Sequence, residues 1–193
     1  MSPVTHFFVG WAVANSVPTL EKRDRAWITL ASVVPDIDGL GLIAEILTRN
    51  STRPLNWWSD YHHILGHNIG FAVLFTTVAA LFSRRKLATS ILVFISFHLH
   101  LFCDLIGARG PDGDQWPIPY LRPFSTSTEW TWAGQWALNS WPNMLITAIL
   151  IALASFLAIK RGYSPVEIFS RKADRAVVNA LRRSKDRAVP QLF

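Results

Sequence analysis

Residues Pro142–Ile159 read PNMLITAILIALASFLAI, eighteen positions without a charged side chain. A helix needs about 20 apolar residues to cross the hydrocarbon core of a bilayer. The stretch therefore predicts a membrane span, and it sets the solvent against which the rest of the chain is read. The character changes at its end: Lys160–Phe193 holds nine Lys/Arg against three Asp/Glu, whereas the residues up to Ile159 hold ten of each. The net charge of +6 thus belongs to the tail. Half of the 193 residues are hydrophobic and 17% are charged, well under the roughly 25% of soluble domains. A single cysteine, Cys103, excludes an internal disulfide.

Working outward, Ile64–Phe82 and Leu87–Asp104 are long enough to span, and Ser83-Arg84-Arg85-Lys86 between them reads as the polar turn of a helical hairpin. Trp27–Leu47 has the length of a further span but is interrupted by Pro35, Asp36, Asp38 and two glycines. Such a break is tolerated only where protein or a water-filled cavity satisfies the backbone. Val4–Leu20 is apolar but carries His6, Asn15 and Pro18 and lacks the basic leader of a signal peptide, so a retained, partial span is expected. The expected fold is all-α: a polytopic membrane helical bundle of four to five transmembrane segments. It comprises a membrane-embedded domain over residues 1–160 and a basic tail over 161–193.

If each of five segments crosses once, Lys22/Arg23/Arg25, Arg84/Arg85/Lys86 and the tail fall on one side, which the positive-inside rule assigns to the cytoplasm. The other side receives the N-terminus, residues Thr48–Tyr61 and the long Trp-, Pro- and Gly-rich loop Gly107–Ser140. Trp116, Trp130, Trp132 and Trp136 in that loop suit an interfacial aromatic belt. In the tail, Phe169, Ala173, Val177 and Leu181 recur every four residues. This pattern predicts a basic amphipathic helix lying on anionic lipid, and nucleic acid is not an expected partner.

Ionisable side chains inside apolar segments are costly and signal function. The topology brings His6, Asp36, Asp38, His62, His63, His67, His98, His100 and Asp104 toward the non-cytoplasmic end. His100 and Asp104, four apart on one helix, share a face and can hold a common ion, whereas His98 points elsewhere. His98 is expected in a supporting role, as a hydrogen-bond donor to a carboxylate or carbonyl. His63 and His67 are also four apart, so periodicity favours His63 over His62 as the second imidazole of that stretch. Mixed imidazole and carboxylate donors suit zinc, manganese or iron. So many candidates exceed the needs of one catalytic zinc and leave room for two ions. Asp36 or Asp38 is expected as a general base. Arg109 and Arg122 are candidates for holding a substrate phosphate, with Asp112 and Asp114 nearby in the same loop.

These boxes together resemble the YdjM-like family of membrane-bound, metal-dependent hydrolases of bacteria and archaea. The resemblance rests on Thr5-His6, Pro35-Asp36-Ile37-Asp38, His62 to His67, His100 to Asp104 and Pro123-Phe124, and covers about the first 125 residues. It departs at His62-His63-Ile64-Leu65-Gly66-His67-Asn68, where His63 stands at a position at which the family commonly has Arg. The resemblance favours His62 as the ligand, against the periodicity, and both remain candidates. The His-x3-Asp box also looks like that of the zinc-dependent phospholipase C and nuclease group. The basic clusters place these candidate ligands toward the non-cytoplasmic side of a multi-pass inner-membrane protein, in agreement with the resemblance. The resemblance implies hydrolysis of a lipid or lipid-linked phosphoester by a metal-activated water. A metal or proton transporter and a non-catalytic membrane anchor are the readings it competes with. Transport is disfavoured because the cytoplasmic halves of the later segments carry no polar path.

Overall fold

A computed structural model describes residues 1–110 and 113–188. Asp112 and the tail beyond Ala188 lie outside the described residues. The elements are α1 (Pro3–Ala14), α2 (Lys22–Ala31), a 3-10 segment Val34–Leu40, α3 (Gly41–Thr48), α4 (Trp57–Tyr61), α5 (Ile69–Phe82), α6 (Lys86–Gly107), α7 (Trp141–Arg161), a 3-10 turn Pro165–Ile168 and α8 (Arg171–Ala188). Among the described residues strand pairing is confined to isolated bridges in the long loop, Arg109 with Ala137 and Ile118 with Trp130.

Two of these helices are long and apolar enough to cross a membrane: α6, with 22 residues, and α7, with 21. At 1.5 Å per residue each is a little over about 30 Å long, matching the hydrocarbon core. α7 exposes Met144, Leu145, Ile149, Leu153 and Phe156, as a helix facing lipid does and a soluble core helix does not. Gly162, in the left-handed region at φ 80°, ends α7 by donating its N–H to the Ala158 carbonyl, while Lys160 and Arg161 sit at the negative end of the helix dipole.

The remaining segments are shorter than the sequence suggests. Trp27–Leu47 is divided among α2, the 3-10 segment and α3, because Pro35 cannot continue α2 and the two helices are capped apart. Ile64–Phe82 is helical only from Ile69. Asn68 takes up extended backbone and its side chain accepts from the Phe71 N–H, so it caps α5 and leaves Ile64–His67 as a loop. Val4–Leu20 is helical only to Ala14.

The packing is organised around α6. It touches α1, α2 and α5, and α1 in turn packs on α2 and α7. Gly10 allows the closest approach of α1 to α2, since a Cβ there would fall 2.7 Å from the Thr29 carbonyl oxygen. One apolar cluster gathers Ala14, Ile28, Ala79 and Val93, and a second gathers Ala72, Phe97, Leu101 and Ile118 beneath the long loop.

The basic ends of these elements meet at one end of the bundle. Asp24 accepts the Arg84 N–H at 2.7 Å, tying the start of α2 to the α5–α6 turn. Arg25 forms a bidentate pair with Glu167 at 2.6 and 2.8 Å. Asp174 accepts from Ser164, which folds α8 back toward α7. The tail is therefore packed on the bundle. α8 starts at Arg171, two residues after Phe169, and its inward side carries Asp174 and Val178, while Phe169 and Ala173 of the stripe expected to lie on lipid are exposed.

Candidate metal centre

At the opposite end of α6, His100 and Asp104 project together, and three other stretches close on them. Asp36 comes from the 3-10 segment, His67 from the loop before α5 and His6 from α1. All of these imidazoles are fully buried and Asp104 is 2% exposed. One ligand atom each from Asp36, His67, His100 and Asp104 lies within 4.8 Å of the other three. His67 Nε2 and His100 Nε2 are 3.1 Å apart. Asp104 Oδ2 is 3.0 Å from the latter and 3.5 Å from the former, and Asp36 Oδ1 is 3.6 and 3.8 Å from the same two nitrogens.

The protons on these rings are fixed from behind. His100 Nδ1 lies 3.0 Å from the Ser32 carbonyl, which can only accept, so Nδ1 carries the hydrogen. His67 Nδ1 lies 3.3 Å from Asp38 Oδ2, and the same reasoning holds. In the neutral rings both Nε2 lone pairs then face one another and two carboxylates. That arrangement is relieved by a proton or a metal ion at its centre, and it is how proteins present imidazole to a metal. Asp36 Oδ2 is buried without a hydrogen-bond partner among the described residues. The residues fit a divalent ion held by two nitrogens and two carboxylates.

The expected donors divide into two groups. Asp38 is turned away from the four-atom group: Oδ1 faces His62 Nδ1 at 3.0 Å, and Oδ2 takes the Gly66 N–H at 3.1 Å besides His67. Gly66 is required there, because a Cβ would fall 2.0 Å from the Pro35 carbonyl oxygen. His6 Nε2 bonds Asp104 Oδ1 at 3.0 Å, and its ring lies 3.9 Å from that of His100. The α-amino group of Met1 also contacts Asp104.

His62 and His63 lie outside the four-atom group. The helical spacing that favoured His63 does not apply, since residues 62–68 are not helical and His63 has φ 66°. Its ring nevertheless stacks on His67 at 4.2 Å. Burial, reinforced by the neighbouring His67, pushes it well below the usual imidazole range and keeps it neutral. His62 stacks on Trp58 at 3.7 Å, with Trp116 against its edge.

Above the donor group lies a cavity of about 690 Å³ that Asp36, Asp104, His62, His63 and Trp116 help to line. Trp116 thus stands over the site, whereas Trp130 stacks on Tyr120 and Trp136 bonds Asn143 within the loop's own packing. His98 bonds the Phe94 carbonyl and the Tyr120 hydroxyl, on a different side of α6. Arg122 borders a neighbouring chamber, while Arg109 bonds the Ala133 carbonyl within the loop.

Sequence reasoning did not single out Ser32, which orients His100, or Gly66. Nor did it find Gln135, whose amide bonds the Asp104 carbonyl at 2.8 Å. A Gly beside a His box was the one available signal. No curated protein and no solved structure matches the chain. The family model described as YdjM inner membrane protein matches residues 1–178, a range that takes in every donor described above, and the chain belongs to that family.

Proposed function

We propose that this chain is a membrane hydrolase in which Asp36, His67, His100 and Asp104 hold a divalent metal, zinc being the first choice and manganese or iron sharing its donor preference. The observation that carries the reading is the convergence of two Nε2 lone pairs and two carboxylates on one buried point. Ser32 and Asp38 fix the two ring orientations from behind. When bound, such an ion lowers the pKa of a water and polarises an ester, most simply a phosphoester of a lipid or lipid-linked compound. Asp36 Oδ2, which lacks a partner among the described residues, is the oxygen free to take the water's proton. Asp38 has both oxygens engaged. His6 steadies Asp104, and His62, His63 and Trp116 wall the cavity above.

The proposed topology is multi-pass in the inner membrane. The basic residues of α2, the α5–α6 turn and α8 face the cytoplasm together with the C-terminus, and the metal group faces the other side. It is supported by the placement of these features at opposite ends of α6 and by the positive-inside rule. The exposed cations of α8 then meet anionic lipid.

The test is elemental analysis of detergent-purified protein combined with a panel of lipid phosphoesters. The expected result is retained Zn, Mn or Fe with turnover of a panel member, both lost in His100→Ala and Asp104→Ala. Protein that holds no metal, and whose phenotype ignores both substitutions, overturns the proposal.

A further inference from the structure

A second chamber of about 330 Å³ adjoins the cavity over the donor group, across a wall that both share: Trp58, His62, His63 and Trp116. The two differ in chemistry. Among the described residues the larger has no Lys or Arg in its lining, and away from the carboxylates its surfaces include Pro3, Leu40, Ala108 and Leu138. The smaller is bordered by Arg122 and Glu129. Arg122 Nε is buried without a hydrogen-bond partner among the described residues, although buried donors are nearly always paired.

Leu40 leads directly into α3. That helix has no buried residue: Ile43 is 56% and Leu47 79% exposed, with Leu42 and Ile46 also open. At eight residues it is too short to span, and it packs on α4 and the 3-10 segment. From Leu138 the apolar surface continues along Trp141, Met144 and Leu145, all exposed. An apolar path therefore runs from the donor group, past Leu40 and Leu138, onto surface of the kind that meets a membrane or an apolar ligand.

We propose that the substrate is an amphiphile with a single phosphomonoester, an inference that rests on the hydrolase reading above. Its acyl or isoprenoid chain leaves the larger chamber between α3 and Leu138. Its phosphate lies against the shared wall, where Arg122 donates to it from the smaller chamber. The shared wall of Trp58, His62, His63 and Trp116 then sits over the bond to be cleaved. A nucleotide or other polyanion is a poor fit, because the described lining of the larger chamber offers Asp36, Asp104 and Asp114 but no Lys or Arg, and the Met1 α-amino group there is already held by Asp104.

The experiment uses the full chain in phosphatidylcholine nanodiscs with two photoactivatable probes, phosphatidic acid and phosphatidylcholine, each carrying a diazirine at the end of one chain. Phosphatidic acid is expected to label Leu40–Leu47 and Leu138 in excess of the phosphatidylcholine probe. The two probes should label the outward residues Ile149 and Phe156 equally. Arg122→Gln should reduce the excess on the order of tenfold, the worth of one charge-assisted hydrogen bond. The double variant Ile43→Asn/Leu47→Asn, at exposed positions, should abolish the α3 label while metal content is retained. Equal labelling by the two probes overturns the chain path, and an excess unaffected by Arg122→Gln overturns the headgroup assignment. Phosphatidic acid turnover is read on the same zinc-loaded samples. Labelling with no turnover there, and none of any ester in the panel, identifies failure of the hydrolase reading itself.

Discussion

Replacing Asp38 by Asn separates a ligand from the group that aims a ligand. The Asp38 carboxylate has no exposed surface and receives three N–H donors, from His62 Nδ1 at 3.0 Å, Gly66 N at 3.1 Å and His67 Nδ1 at 3.3 Å. Asparagine preserves the shape but has one acceptor oxygen, so its NH2 must face a donor. If the oxygen stays toward Gly66 and His67, His62 is left unpaired. If the amide turns over, His67 loses the bond that fixes its ring. Each hydrogen bond to a charged acceptor contributes about 1.5–3 kcal/mol. Loss of such a carboxylate behind a ligating imidazole weakens metal binding ~10–100-fold, or about 1.4–2.8 kcal/mol. The assay is zinc competition against a chromogenic chelator on detergent-purified protein, with Asp36→Asn alongside. Asp38→Asn should lose ~10–100-fold in zinc affinity, and Asp36→Asn should lose more. Wild-type affinity in Asp38→Asn would show that His67 needs no support. A loss equal to that of Asp36→Asn would show that Asp38 supplies an oxygen to the ion, and either result refutes the assignment.

Two further outcomes test the scaffold. Gly66→Ala must move a Cβ that would otherwise sit 2.0 Å from the Pro35 carbonyl oxygen. Overpacking of this kind costs about 1–3 kcal/mol, and the displaced loop should lose metal affinity along with thermal stability. An unchanged zinc titration would contradict the close approach. Glu167→Ala leaves Arg25, 8% exposed at its side chain, without its carboxylate and with only the Leu20 carbonyl and the Tyr163 ring beside it, at a cost approaching about 3–5 kcal/mol. Its melting temperature should drop and trypsin should cut within α8 sooner, whereas unaltered proteolysis would mean that the pair does not hold the tail.

Some of this was legible in the sequence for a specific reason. Lipid imposes uniform apolarity on a span whatever its neighbours are, so Pro142–Ile159 and Leu87–Asp104 could be recognised locally and lie within α7 and α6. His100 and Asp104 could be paired because they share a helix. The start of α5 could not be placed by apolarity, since Ile64 and Leu65 are as hydrophobic as the helix but belong to the loop that delivers His67. The argument from helical spacing for His63 failed with it. Asp36 and Asp38 look equivalent in the sequence. Their different surroundings depend on a 3-10 turn and on contacts with His62, Gly66, His67 and His100 that are remote in the chain. The Arg25–Glu167 pair, 142 positions apart, left no local trace.

The donor group is assembled from a 3-10 turn, a loop and one helix, and only His100 and Asp104 come from the same element. A chain that has inserted α6 but not yet docked the others can offer an ion at most that one pair. Binding energy is then available only to the finished bundle, as mass action stabilises the state that binds. Metal occupancy becomes a late event in biogenesis. A half-assembled chain would be silent toward the ion, and retention of the ion through purification would count correctly built molecules.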